Sequence, residues 1–144
     1  MNEIKEICVS RIDRMGDMIL SLPVIKAIKV VNPNIKITIF SSHKNSKILE
    51  GLQYIDTINV INTNRNIFYL FNKFIELRKF KFDYYINLSP TLYSYLICFF
   101  SKSNKKATLI YLSRYKKSIF SKFIIRLLAK VFCHFTCIVD RNFN

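Results

Sequence analysis

A chain of 144 residues, 51% hydrophobic and 22% charged, has the length of one ordinary domain and enough apolar residues to build a core. It contains only two glycines, Gly16 and Gly51. A dinucleotide fingerprint needs three closely spaced glycines and a Walker loop needs two that lie five apart, so P-loop nucleotide hydrolases and ordinary NAD-binding Rossmann proteins are excluded. The net charge of +14, from 23 basic and 9 acidic side chains, points to an anionic partner: nucleic acid, a phosphorylated glycan or an acidic membrane. A chain rich in Lys, Asn, Ile, Phe and Tyr is also what A/T-rich codons write, so the charge by itself fits a well-solvated surface equally well.

In chain order, Ile7-Cys8-Val9 opens as a buried strand. Residues 16–31 are strongly apolar, with Lys26 and Lys29 on one side, and are expected to form a buried helix ended by Pro33-Asn34. Ile35, Ile37 and Ile39 alternate with Lys36 and Thr38 as a second strand. Residues 45–50 form a short helix closed by Gly51, and 55–61 a third strand. Ile67, Leu70, Phe71, Phe74 and Ile75 then share one face of an amphipathic helix, opposite Asn72, Lys73, Glu76 and Lys79. A fourth strand over 84–88 ends at Ser89-Pro90 and leads into a helix over 91–100. A fifth strand over 107–111 and a last helix over 119–136 complete the chain. Strands alternating with helices imply parallel βαβ units and an α/β, Rossmann-like, doubly wound sheet in a single domain.

Residues 1–5 are polar and the first apolar run is too short for a signal core, so the four cysteines, Cys8, Cys98, Cys133 and Cys137, are expected as reduced thiols in the cytoplasm. Cys133-His134-x-x-Cys137 offers three ligand types within five residues but no second cluster to complete a tetrahedron. Two thiols one helical turn apart in an apolar stretch read as buried cysteines, and no metal is expected. Residues 119–139 are long enough to span a membrane, but Lys122, Arg126 and Lys130 punctuate them, and with His134 these line one helical stripe. A basic stripe on an apolar helix suits an anionic membrane surface; it equally suits an outer helix with its basic face in water.

The constellation that carries chemistry is Arg11-Ile12-Asp13-Arg14-Met15-Gly16-Asp17, with Pro23 six residues on, where the first strand hands over to the first helix. Ligands bind at this carboxyl edge in parallel α/β sheets. Gly16 allows a turn and a close approach to a ligand, and Asp17 stands where the amides and dipole of a helix start favour an ionised carboxylate. Such a carboxylate can serve as a general base toward a hydroxyl group; it can equally be a helix-capping aspartate with no chemistry.

The stretch Val9 to Ile28, VSRIDRMGDMILSLPVIKAI, resembles the opening of the ADP-heptose:lipopolysaccharide heptosyltransferases. The similarity continues through Asn32-Pro33-Asn34-Ile35-Lys36-Ile37-Thr38, Ile48-Leu49-Glu50-Gly51, Tyr54-Ile55-Asp56, Leu77-Arg78, Lys81-Phe82-Asp83 to Pro90, and Ile138-Val139-Asp140-Arg141-Asn142. The resemblance implies two Rossmann-like domains facing across a cleft, the GT-B arrangement, of which residues 1–144 are the N-terminal, acceptor-side one. The donor-binding C-terminal domain is then expected as a separate half, and the chain alone as inactive. The implied reaction inverts the anomeric centre, uses ADP-heptose as donor with no cofactor or metal, and takes the aspartate of the Met-Gly-Asp turn, Asp17 here, as base. The implied acceptor is an anionic Kdo-lipid A glycolipid at the cytoplasmic face of the inner membrane. Arg11, Arg14, Gly16, Lys44, Lys105 and Lys106 fall at inferred carboxyl-edge positions and are the candidate acceptor-binding residues.

Two other readings remain. One is a non-catalytic remnant or a glycolipid- and membrane-binding module on the same fold, resting on the Lys122, Arg126, Lys130 stripe. The other is a nucleic-acid binder, which rests on charge and 15% aromatics with no helix-turn-helix, RNP or zinc-finger pattern to support it.

Overall fold

In the computed structural model, residues 4–62, 78–111 and 119–139 are described, with Tyr69, Asn72 and Ile75 between them. The strands are β1 (Glu6–Arg11), β2 (Lys36–Ser41), β3 (Thr57–Val60), β4 (Phe82–Asn87), β5 (Ser103–Tyr111) and β6 (Phe135–Val139). The helices are α1 (Met15–Val31), α2 (His43–Leu49), α3 (Leu92–Phe100) and α4 (Ile119–Phe132). The six strands form one sheet in the order β3-β2-β1-β4-β5-β6, every neighbouring pair parallel. The expected α/β Rossmann-like architecture is therefore present. The chain runs outward in one direction from β1 to β3 and in the other from β4 to β6. The switch between β1 and β4 opens a crevice beyond their carboxyl ends, where such sheets bind ligands.

The core follows from alternation along the strands, whose successive side chains point to opposite faces. On one face Ile7, Val9, Ile37 and Ile39 pack with Met18 and Ile25 of α1 and Leu49 of α2. On the other, Cys8, Phe40, Phe82, Tyr85 and Ile110 pack with Tyr95, Cys98 and Phe99 of α3 and Ala129 of α4. At the amino edge, Asp83 accepts hydrogen bonds from the backbone N–H groups of Lys5 and Glu6, at 2.8 and 3.0 Å, and from Asn104, at 3.0 Å. One carboxylate thus pins the starts of β1, β4 and β5 together, and the two backbone donors hold its carboxyl below the usual carboxylate range.

Local signals explain the helix boundaries. Ser42 caps α2 by accepting from the Asn45 N–H, and Thr91 with Ser94 forms a reciprocal capping box at the start of α3. Gly51, at φ +82°, supplies the left-handed residue that ends α2.

Four expectations need correction or lie beyond reach. Residues 16–31 form a helix, but only Met18 and Ile25, seven apart, are buried, leaving Ile19, Leu20, Val24, Val30 and Val31 exposed. A helix that is apolar all round does not reveal how much of it the sheet covers, and here one narrow stripe is covered. The last helix ends at Phe132 instead of Thr136, and Phe135-Thr136-Cys137-Ile138-Val139 forms β6. Its alternating, partly β-branched side chains suit a strand, and the His134 N–H donates to the Lys106 carbonyl to start the ladder with β5. The fifth strand begins at Ser103 instead of 107. Most of the amphipathic helix expected over 67–79 lies outside the described residues.

Candidate active site at the carboxyl edge

Arg11 is the last residue of β1, so its side chain enters the crevice between β1 and β4 from the centre of the sheet. Its guanidinium is buried between one carbonyl and two carboxylates, although Nε itself makes no hydrogen bond. Nη1 donates to the Leu88 carbonyl, Nε lies 3.2 Å from Asp13 Oδ1 and Nη2 lies 3.1 Å from Asp17 Oδ2. Ser89 Oγ donates to the same Asp13 oxygen at 3.1 Å and accepts from the Ile12 N–H at 2.7 Å. Asn87 Oδ1 accepts from the Ser89 N–H, and Asn45 of α2 donates to the Arg11 carbonyl at 3.1 Å. Side chains from the ends of β1, β4 and α2 are thereby linked into one polar network.

The two carboxylates on Arg11 differ in exposure. The Asp13 side chain is 5% exposed and that of Asp17 is 35% exposed. Asp13 is a structural counter-charge sealed beneath the surface. Asp17, in the first turn of α1, presents an oxygen to the crevice while Arg11 fixes its orientation. Its place at the helix start aligns it with unpaired amides and the positive end of the helix dipole. Geometrically this is what a general base requires: a carboxylate that is oriented and reachable.

The structure brings together Arg11, Arg14, Gly16, Asp17 and Lys44 at this edge, and places the remaining candidates elsewhere. Arg14, at the N-cap position of α1, and Lys44, at the start of α2, are exposed cations at the same carboxyl edge of the sheet as Asp17. Arg11 was expected as an acceptor ligand; its guanidinium is instead turned inward, between the Leu88 carbonyl and the carboxylates of Asp13 and Asp17. Lys105 and Lys106 were expected in a carboxyl-edge loop, but β5 begins early and both lie within the strand, opposite Tyr84 and Tyr85 of β4. The Lys105 ammonium stands 5.5 Å from the centroid of the Tyr84 ring, and Lys106 is buried with Nζ donating to the Phe99 carbonyl. Cys133 and Cys137, expected one helical turn apart on a helix, lie instead in the link after α4 and, exposed, on β6. The stripe of Lys122, Arg126 and Lys130 does fall within α4, where Arg126 and Lys130 are exposed, while His134 lies beyond the helix.

Gly16 also departs from expectation. It lies within α1 with no positive φ, and a Cβ at its position meets no protein atom within 4 Å. The backbone does not need glycine there. Gly16→Ala is expected to stabilise the isolated chain by about 0.5–1 kcal/mol, through helix propensity and a less free unfolded state. Thermal denaturation checks this, and a fall in stability overturns it.

A parallel Rossmann-like sheet with a partly exposed carboxylate at its switch point is an α/β domain of the kind that binds ligands at its carboxyl edge. The chain is similar in fold to a glycosyl transferase of family 9 from Veillonella parvula, with a TM-score of 0.73 at 22% identity, covering 97% of this chain and 37% of that one. It is also similar to the E. coli heptosyltransferase WaaC, solved with ADP (TM-score 0.66, 13% identity, covering 95% of this chain and 42% of that one). The same enzyme solved with ADP-2-deoxy-2-fluoro heptose gives a TM-score of 0.68 at 12% identity, with 95% and 43% covered. The chain thus spans about two fifths of the length of these solved proteins. No protein-family model and no curated protein sequence matches it.

Proposed function

We propose that the chain is the acceptor-side domain of a heptosyltransferase-like glycosyltransferase, with Asp17 as the general base. The observation that carries this reading is the Asp17 carboxylate, exposed at the β1/β4 switch point and held by a buried arginine. The fold likeness to two glycosyltransferases supports it. In the proposed reaction Asp17 takes the proton of an acceptor hydroxyl as that oxygen attacks the anomeric carbon of the donor sugar. The sugar–phosphate bond breaks, and a nucleoside diphosphate departs with inversion. Arg14 and Lys44 hold anionic groups of the acceptor, by resemblance a Kdo-lipid A type glycolipid. ADP-heptose is the corresponding donor, held by a second domain that completes the cleft. The reading places the reaction at the cytoplasmic face of the inner membrane, and supplying the donor-binding half as a separate chain and assaying transfer tests it.

A second reading rests on α4. Phe123, Leu127 and Val131, spaced four apart, are all exposed beside the exposed Arg126 and Lys130. No helix among the described residues is long and apolar enough to cross a membrane. An exposed apolar row flanked by cations suits the surface of an anionic bilayer. Co-sedimentation with phosphatidylglycerol vesicles is expected to be salt-sensitive and to weaken when Arg126 and Lys130 become glutamine. Equal binding to neutral vesicles speaks against it.

A further inference from the structure

Outside the crevice, the chain carries a second cluster of reactive groups between α3 and α4. Cys98 of α3 and Cys133, just past the end of α4, lie with their sulfurs 4.0 Å apart. A disulfide needs a separation of about 2 Å, so the two sulfurs must close about half of the present distance. The helices are already packed at this point: the ring of Phe132 stacks on Phe99 at 5.6 Å and meets Phe100 at 6.3 Å. Beneath the pair lies the buried ammonium of Lys106, held by the Phe99 carbonyl.

The two thiols are not equivalent. Cys98 is sealed in the core, whereas Cys133 borders a surface cavity of about 400 Å³ that Arg126, Lys130, His134 and Thr136 also line. The contact with Cys98 and the nearby Lys106 charge lower the Cys133 thiol, while the contact with Cys133 and burial push Cys98 up. A thiol that borders a cationic cavity, with a second, sealed thiol in contact behind it, has the form of an attacking and a resolving sulfur.

We infer that Cys133 and Cys98 form a thiol pair that reacts with small, carboxylate-bearing disulfides such as oxidised glutathione and closes to an internal disulfide. The Cys133 thiolate attacks one sulfur of the reagent, forming a mixed disulfide and expelling the other half as a thiolate. Cys98 then loses its proton and attacks the Cys133 sulfur, and the second half leaves as a thiol. The protein is oxidised by two electrons and the reagent is reduced to two thiols, so the exchange balances. The cations around the cavity attract the carboxylates of the incoming molecule.

The full chain is incubated with oxidised glutathione and mapped by peptide mass spectrometry, in a Cys137→Ser background that removes the exposed thiol. The expected product is a Cys98–Cys133 cross-link. In Cys98→Ser the reaction stops at a glutathione adduct on Cys133, and in Cys133→Ser no cross-link forms. Circular dichroism of each serine variant verifies that its fold is retained. A folded chain in which Cys133 stays unmodified in both the parent and Cys98→Ser overturns the inference. So does an adduct on Cys133 that persists with Cys98 present, because the resolving step has then failed. In the chain that retains Cys137, faster modification of Cys133 than of the more exposed Cys137 is the further expected result; the reverse order counts against the proposal.

Discussion

Arg11→Met is expected to destabilise the fold by about 3–5 kcal/mol, the penalty for leaving a buried charge without its partner. Asp13 is the reason. Its side chain is 5% exposed and one of its oxygens already lacks a hydrogen-bond partner, so without the guanidinium its charge would rest on Ser89 alone. The Leu88 carbonyl, which caps the end of β4, loses its donor at the same time. Because domains of this size are stable by only about 5–15 kcal/mol, the loss is a large share of the total. Urea denaturation measures it. In the double variant Arg11→Met with Asp13→Asn, much of the loss should return, since no buried charge is then left unpaired. A single-variant loss below about 1 kcal/mol would mean that water reaches Asp13 and that the network does not brace the sheet.

Asp17→Asn is expected to leave that brace nearly intact and to act on chemistry. Asparagine keeps an oxygen to accept from Arg11 Nη2, and with the Asp17 side chain 35% exposed the lost charge pairing is largely screened by solvent. Stability should therefore change little. In an enzyme completed by its donor half, the transfer rate should fall by about 10²–10⁴, the usual worth of a positioned general base. Acceptor binding should change much less than the rate, since a base matters most once the proton begins to move. Unimpaired transfer by the folded variant would remove Asp17 as the base and leave it as a helix-start carboxylate. A parallel experiment on Gly16→Ala separates the two sides of the motif: if the acceptor passes over the open space at Gly16, the methyl group weakens binding in a chain that is, if anything, more stable.

Much of the fold was legible because the strands are short apolar runs and the turns are punctuated. Ile35, Ile37 and Ile39 announce β2 by alternation, and Gly51 marks the end of α2. What stayed hidden depends on neighbours. The β-forming run Phe135–Val139 continues an apolar helical pattern without a glycine or proline to mark the break, so only the ladder with β5 reveals it. The early start of β5 escaped for a related reason: Asn104, Lys105 and Lys106 are polar, and they are strand residues because β4 provides their partners. That shift is what moved two lysines from a supposed ligand loop into the sheet. Within the site, Asp17 was visible from its place at a helix start. Asp13 and Ser89 were on the page as residues but not as a network, since their contact spans 76 positions in the chain. Whether Arg11 faced a ligand or the interior was likewise undecidable from spacing, because both outcomes place an arginine at the end of β1.

The brace at Arg11 bears on how a changing lineage would record its own history. The arginine and the aspartate at these two positions brace the central strands, whatever the crevice does. On the proposed function, a descendant without sugar transfer would still be under pressure to keep Arg11 and Asp13, and would be free to lose Asp17 and Gly16. On that reading the seven-residue block from Arg11 to Asp17 holds two records: its first half reports whether the domain still folds, and its second half whether it still has a reaction to perform.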